Sequence, residues 1–146
     1  MRFWDTSAIA ALCVAEPASP MARTIALDDS AMVVWWATRT ECVSALARRV
    51  REGDLSGAGE RQARDVLRHL AQAWTAIQPN ESLRDTAERL LAVHALRAAD
   101  AFQLAAAWQW CRGDATNNAL VSFDARLREA GYREGFTVLP VKIPRV

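Results

Sequence analysis

The chain has 146 residues, of which 51% are hydrophobic and 24% charged, and its formal net charge is +1. This composition is ordinary for a globular protein with its own core, and we expect one domain over residues 1–146. The balance of charge excludes a protein held on nucleic acid or membrane by a strong overall field. No apolar run approaches the length of a membrane-spanning helix, so no membrane association is expected.

The cysteines and histidines limit the metal chemistry that the chain can support. Cys13, Cys42 and Cys111 are odd in number, far apart and set in apolar surroundings. They predict reduced core thiols in a cytoplasmic protein rather than disulfides or a zinc site. His69 and His94 are too isolated for a histidine-based metal site, and the first residues lack a signal-peptide pattern.

Short apolar runs alternate with helical patterns along the chain. The first run, 1–4, stops at Asp5, and an alanine-rich helix follows that ends before Pro17. The run 31–36 is rich in β-formers, as expected of an inner parallel strand. The predicted strands are 1–4, 31–36, 75–78, 119–123 and 136–139. The predicted helices are 8–14, 20–29, 41–52, 60–74, 81–94, 97–111 and 125–130. This alternation predicts an α/β fold with a mostly parallel central sheet and helices on both faces.

Helical spacing also predicts which side chains face the core and where helices end. Leu27 in the second helix and Leu91 in the fifth are expected on the inner side. The segment 53–59 contains three glycines and is expected to form a turn, and Gly131 is expected to end the last helix.

The most apolar helix, 97–111, contains one carboxylate. Asp100 begins a face that continues with Leu104, Ala107 and Cys111. An isolated ionised carboxylate is costly to bury, so Asp100 must be paired, protonated or bound to a cation. The alternative is a helix N-cap or a first-turn acid that faces the helix dipole.

Three further acids lie at or just beyond the carboxyl ends of predicted strands. Asp5 and Asp124 follow strands directly, and Glu41 lies past a third. The carboxyl ends of parallel strands lie along one edge of a sheet, so these acids and Asp100 can converge. Two like charges ~4 Å apart cost about 4 kcal/mol, so such a cluster requires protonation or a divalent cation. Oxygen donors favour magnesium or manganese.

Each of these features has a structural alternative. The alternative for Asp5, Thr6 and Ser7 is a cap on the first helix, a role expected first of the Thr6 or Ser7 hydroxyl. Glu41 suits the first turn of its own helix as a dipole-facing acid. If the acids instead hold metal, they suit phosphodiester hydrolysis, because the ion activates water and stabilises the leaving oxygen. Thr6, Ser7 and Ser122 are then placed to orient the ligands or bound waters.

A row of arginines lies on one face of the fourth predicted helix. Arg61, Arg64 and Arg68 are spaced by three and four residues. The row either contacts RNA phosphates or forms a solvated face.

Five segments carry a resemblance to a known family. They are 3–8 (FWDTSA), 40–46 (TECVSAL), 97–105 (RAADAFQLA), 120–127 (LVSFDARL) and 135–139 (GFTVL). In this order, and over nearly the whole chain, they resemble the PIN-domain ribonucleases, most closely the VapC toxins of bacterial type II toxin–antitoxin pairs.

The resemblance implies a three-layer sandwich and a magnesium- or manganese-dependent endoribonuclease that commonly acts on tRNA or rRNA. It further implies a cognate antitoxin and a homodimer. The metal-binding acids that it implies are Asp5, Glu41, Asp100 and Asp124. The supporting hydroxyls that it implies are Thr6 and Ser122.

Three questions remain open from the sequence. A PIN-like scaffold that binds RNA or protein without cutting would share most of these residues. A phosphatase with an aspartyl nucleophile is disfavoured, because Ser7 stands where that chemistry usually places a second aspartate. Six apolar residues either line a groove for a partner's amphipathic helix or belong to the core. They are Trp35, Trp36, Leu46, Val50, Val66 and Leu70.

Overall fold

The structure is a computed structural model that describes residues 1–29 and 31–143. In this part of the chain, five strands alternate with seven helices. The strands are β1 (Arg2–Trp4), β2 (Met32–Trp35), β3 (Thr75–Ile77), β4 (Ala119–Val121) and β5 (Thr137–Leu139). The helices are α1 (Thr6–Cys13), α2 (Ser19–Leu27), α3 (Thr38–Arg51), α4 (Gly57–Ala73), α5 (Glu81–Val93), α6 (Ala98–Trp110) and α7 (Ala125–Arg133).

The five strands form one parallel sheet in the order β3-β2-β1-β4-β5. In the centre, Phe3 of β1 is paired with Val33 of β2 on one side and with Leu120 of β4 on the other. The strand order therefore runs outward in both directions from β1 and β4. In open α/β sheets, such a reversal creates a crevice beyond the carboxyl ends of the strands, where ligands bind.

The sheet separates two hydrophobic cores. Phe3 and Leu120 pack on one face with α5, α6 and α7, whereas Trp4 and Val121 pack on the other with α1, α3 and α4. Successive strand residues point to opposite faces, so each short strand supplies both cores. The predicted α/β architecture, with a parallel sheet between helical layers, is confirmed.

Two helices begin earlier than predicted because of their caps. Helix α1 begins at Thr6, since the Asp5 carboxylate, rather than a hydroxyl of Thr6 or Ser7, accepts the Ala8 N–H. Helix α4 begins at Gly57, inside the segment expected to be a turn, because the Ser56 hydroxyl accepts the Gly59 N–H at 3.0 Å.

Three expectations about individual side chains were wrong. Leu27 is 91% exposed and Leu91 is 41% exposed. Helix α7 continues through Gly131 to Arg133, and a Cβ atom on Gly131 would lie 2.5 Å from Leu120 Cδ2. This glycine therefore allows α7 to approach the sheet closely, and the left-handed residue after the helix is Gly135, with φ +100°.

The six apolar residues proposed to line one groove do not form a single surface. Trp35 is buried in the core on one face of the sheet, and Leu46 is buried in the core on the other. Only Trp36 of the six is strongly exposed. Among the described residues, no helix combines the length and the apolar character needed to cross a membrane.

Candidate functional site

Asp5 lies between β1 and α1, at the carboxyl end of the central strand, and is only 3% exposed. Its Oδ1 accepts hydrogen bonds from the Ala8 N–H at 2.9 Å and the Ser7 hydroxyl at 2.7 Å. Its Oδ2 accepts from the Ser122 hydroxyl at 2.7 Å. Burial raises the pKa of Asp5 to about 6 against the opposing effect of these bonds, and the charge of Asp124 adds to the increase. The three donors therefore offset part of the cost of burying a charged carboxylate at this position.

The two serines tie the loop after β4 to Asp5. Ser7 accepts the Phe123 N–H at 2.8 Å while it donates to Asp5. Ser122 likewise accepts the Asp124 N–H at 3.1 Å while it donates to the other oxygen of Asp5. The predicted orienting role of Ser7 and Ser122 thus has a geometric basis, because each hydroxyl fixes one oxygen of the same carboxylate.

No ion pair between described residues includes Asp5. Burial lowers the pKa of Arg128, and the charge of Asp5 opposes this change. The Arg128 guanidinium donates its hydrogen bonds to the backbone carbonyls of Ser122 at 2.9 Å and Pro140 at 2.7 Å, and not to Asp5. The negative charge of Asp5 is therefore held by hydroxyl and amide dipoles and is not neutralised by a salt bridge.

Asp124 and Asp100 both line a cavity of about 390 Å³. Asp124 caps α7 by accepting the Leu127 N–H at 2.8 Å. Asp100 lies in the first turn of α6 and is half-buried. Burial raises the pKa of Asp100, and the charge of Asp124 raises it further. The charges of Arg97 and Arg126 oppose this increase. The residues that line this acid cavity are Arg97, Ala99, Asp100, Asp124, Ala125 and Arg126.

Glu41, in the first turn of α3, joins the site through Thr6. The Thr6 hydroxyl donates to Glu41 Oε2 at 2.6 Å, and Thr6 directly follows Asp5 in the chain. Thr6 therefore links the Glu41 carboxylate to the residue that follows Asp5, and its predicted orienting role has a geometric basis for Glu41.

Gln103 was not singled out from the sequence, although it belongs to one of the five segments. It is 2% exposed, and its Nε2 lies 2.8 Å from Thr6 Oγ1, 3.0 Å from Thr38 Oγ1 and 3.1 Å from Glu41 Oε2. One feature of the sequence does mark Gln103: it is the only polar residue in the run from Ala101 to Ala107 of α6. A polar residue inside so apolar a helix requires a buried partner.

The sequence matches one protein family, the PIN domain, over residues 2–131. The chain belongs to the PIN-domain family. Members of this family are typically nucleases and generally use divalent metals. No curated protein matches the chain in sequence.

The donors in this PIN domain fit a hard divalent cation. Asp5, Asp100 and Asp124 supply oxygen ligands, the donor type that magnesium and manganese prefer. Within residues 1–29 and 31–143, no three Asp, Glu, His or Cys side chains are grouped so that they could hold one ion together. Magnesium usually keeps several waters and takes only one or two carboxylates from the protein, so this arrangement remains suitable for it.

The arginine row of this PIN domain lies on the exposed side of α4. Arg64 pairs with Glu60 at 3.0 Å, and Arg68 pairs with Asp65 at 2.7 Å. Arg61 is also exposed, and none of the three arginines lines the acid cavity. These contacts favour a solvated face, because two of the three charges already have partners.

Proposed function

We propose that this PIN domain is a magnesium- or manganese-dependent endoribonuclease that acts as the toxin of a toxin–antitoxin pair. The observation that carries the proposal is the buried carboxylate of Asp5, which accepts three hydrogen bonds from uncharged donors, has no ion-pair partner among the described residues and lies within the electrostatic influence of Asp124. A divalent cation would stabilise this arrangement.

We propose that Asp5, Asp100, Asp124 and Glu41 form the acidic set around the ion, of which one or two carboxylates would bind it directly and the others would act through its bound waters. When bound, a divalent ion lowers the pKa of a water and stabilises the leaving oxygen of a phosphodiester. The chain itself keeps the carboxylates in place: Ser122 fixes Asp5 Oδ2, and Thr6 fixes Glu41 Oε2. Because these donors are neutral hydroxyls, they orient the acids without cancelling their charge.

Two arginines at the acid cavity suit the phosphates of the substrate. Arg97 and Arg126 line the cavity beside Asp100 and Asp124. Arginine donors match the geometry of a phosphate, and such contacts set the register of a nucleic-acid strand without reading its sequence. We assign phosphate contact to this pair in preference to the row on α4.

The direct test is cleavage of RNA by the purified protein with manganese, with magnesium and with EDTA. A circular single-stranded RNA should be cut in either metal and remain intact in EDTA, which identifies an endonuclease. Asp5→Asn should be inactive, whereas Asp65→Asn, on the exposed face of α4, should retain activity. Binding of tRNA or rRNA without cleavage in any metal would instead support the alternative of a catalytically silent scaffold. That alternative is favoured by the absence of a three-acid group among the described residues.

The toxin role has a separate test in cells. Expression of the wild-type chain should slow growth, and Asp5→Asn should not. Co-expression of a cognate antitoxin encoded by a neighbouring gene should restore growth. We also propose a homodimer, which light scattering of the purified protein would reveal as twice the 16.1 kDa mass of one chain. Normal growth with abundant, folded wild-type protein would contradict the toxin role but not the nuclease activity.

A further inference from the structure

A second cleft, larger than the acid cavity, lies on the other side of the first turn of α6. Its volume is about 550 Å³, and Ala99 lines both this cleft and the acid cavity. Glu41 also lines it, so an acid of the candidate site forms part of its wall. A strand of RNA held at the acids therefore has a neighbouring cleft within reach.

The cleft presents one exposed tryptophan on a fixed backbone. Trp36 is 58% exposed, whereas the preceding Trp35 is 6% exposed and stacks on Phe102 with ring centroids 5.7 Å apart and an interplanar angle of 7°. The Trp36 N–H donates to the Ile77 carbonyl at 3.0 Å, which continues the pairing of β2 with β3. The indole is thus presented to solvent by a well-anchored strand end.

We propose that Trp36 is a stacking platform for one base of the substrate RNA, an inference that rests on the proposed endoribonuclease function. Aromatic side chains stack on the π-face of any base, and a cleft of this volume admits a nucleoside. Arg84 and Glu81, which pair at 3.1 Å, also line the cleft and offer donors and acceptors to the edge of the base.

The small number of exposed apolar residues in the cleft favours RNA over a helix of a partner protein. A helix binds through several apolar anchors one turn apart, which require a row of exposed apolar residues. Three aromatic residues line this cleft. Trp35 and Phe102 stack on each other, and of the three only Trp36 is strongly exposed. One platform beside an acidic site suits one base of a single strand.

The experiment compares cleavage kinetics of the wild type, Trp36→Ala and Trp36→Phe on a single-stranded RNA with manganese. We expect Trp36→Ala to raise KM roughly 5- to 150-fold with little change in kcat, the factor that stacking of ~1–3 kcal/mol per base represents. Trp36→Phe should keep most of the affinity, because phenylalanine retains a stacking face. The matched control is Tyr132→Ala, which truncates an aromatic residue that is 75% exposed and lines neither cavity.

A second measurement identifies the base. RNAs that each carry one abasic nucleotide are scanned through the cleaved region. At one position, removal of the base should raise KM for the wild type but have no further effect on Trp36→Ala, as expected when both changes delete the same contact. The proposal would be overturned if removal of a base raised KM by the same factor for both proteins at every position. An unchanged KM for Trp36→Ala would overturn it as well.

Failure of the nuclease function itself gives a different result. If the wild type cuts no RNA, the affinities of the wild type and Trp36→Ala for the same RNA are compared by fluorescence anisotropy with magnesium. Equal affinities would then overturn the base subsite as well, whereas weaker binding by Trp36→Ala would uphold it on a silent scaffold. If Trp36→Ala lost antitoxin binding while its KM for RNA cleavage stayed unchanged, Trp36 would be assigned to a protein contact. That result would also overturn the base subsite.

Discussion

The Thr6 hydroxyl donates a 2.6 Å hydrogen bond to Glu41, which joins the start of α1 to the first turn of α3. Gln103 of α6 donates to both residues, at 2.8 Å and 3.1 Å. Three helices from distant parts of the chain therefore meet at one carboxylate. The position of the Glu41 carboxylate therefore depends on the uncharged side chains of Thr6 and Gln103.

Gln103→Leu should lower cleavage activity about 10- to 100-fold, the usual effect of removing a group that orients a metal-binding side chain. The substitution leaves the Glu41 carboxylate and the Thr38 hydroxyl without their common donor, so we also expect a loss of about 1–3 kcal/mol in the free energy of unfolding. Cleavage assays and urea unfolding measure the two effects. Gln72→Leu, at an exposed position of α4, is the matched control. Full activity in Gln103→Leu would show that the amide does not position Glu41.

Gly131→Ala should destabilise the protein by about 1–3 kcal/mol, the usual cost of overpacking a core. The added methyl group would lie 2.5 Å from Leu120 Cδ2, and Leu120 is fully buried in the central sheet. Gly57→Ala is the control: its added Cβ would meet only Arg61 Nη1 at 3.6 Å, an ordinary contact. Urea unfolding of both variants should separate them clearly, and equal stabilities would contradict close packing between α7 and β4.

The pair formed by His94 and Glu134 predicts a pH dependence of stability. Burial alone would raise the pKa of Glu134, but hydrogen bonds from His94 and Arg89 outweigh burial and hold it below its ordinary value of 4.5. A carboxyl whose pKa is lower in the folded state stabilises the fold above the pKa of the unfolded chain, and this stabilisation is lost as the pH falls through the folded pKa. Glu134→Gln should therefore be less stable than the wild type at pH 7, by about 1–2 kcal/mol.

The difference between Glu134→Gln and the wild type should shrink as the pH falls below 4.5, the ordinary value for the carboxyl. Thermal melts across this range provide the measurement. Glu129→Gln, at an exposed position of α7, should match the wild type throughout. A difference that stays constant with pH would show that the charge of Glu134 contributes nothing.

Divalent metal should raise the melting temperature of the wild type. The ion binds only the folded state and relieves the repulsion between Asp5 and Asp124. At 100-fold excess over the dissociation constant it contributes ~2.7 kcal/mol, which is an increase of about 5–10 °C for a chain of this size. The measurement compares ~10 mM manganese with EDTA at matched ionic strength. Asp5→Asn should respond more weakly, and an unchanged wild-type melt would count heavily against a shared metal site.

The sequence was sufficient to predict the α/β fold and to place Asp5 and Asp124 directly after neighbouring strands at one edge of the sheet, whereas the predicted convergence of all four acids on one ion stays a prediction. The fold and this placement follow from local patterns, because parallel strands bring their carboxyl ends together whatever lies between them.

The role of Gln103 could not be predicted in this way, since its partners Thr6 and Thr38 lie 97 and 65 residues away in the chain. Gly131 was misinterpreted for the same reason: local rules treat glycine as a helix stop, whereas its role is set by contact with Leu120.

Asp100→Asn should abolish RNA cleavage and leave the fold intact. Asparagine keeps the size and the hydrogen-bonding capacity of the side chain but removes the charge that would bind the cation. Burial and the charge of Asp124 both raise the pKa of Asp100, so its ionised form is destabilised in the absence of metal. In EDTA the variant should therefore melt at the wild-type temperature or above it.

The alternative for Asp100 is a structural acid that faces the start of α6 or pairs with Arg97, and two measurements on the one variant separate these roles. As a first-turn acid, Asp100 would be replaced by asparagine with activity retained. As the partner of Arg97, which is exposed, its loss would lower the stability by at most about 1 kcal/mol and leave cleavage intact. Lost cleavage with manganese, together with a preserved melt in EDTA, is the result that a metal-binding Asp100 requires. Retained cleavage at any melting temperature would remove Asp100 from the site and leave Asp5, Glu41 and Asp124 as its acids.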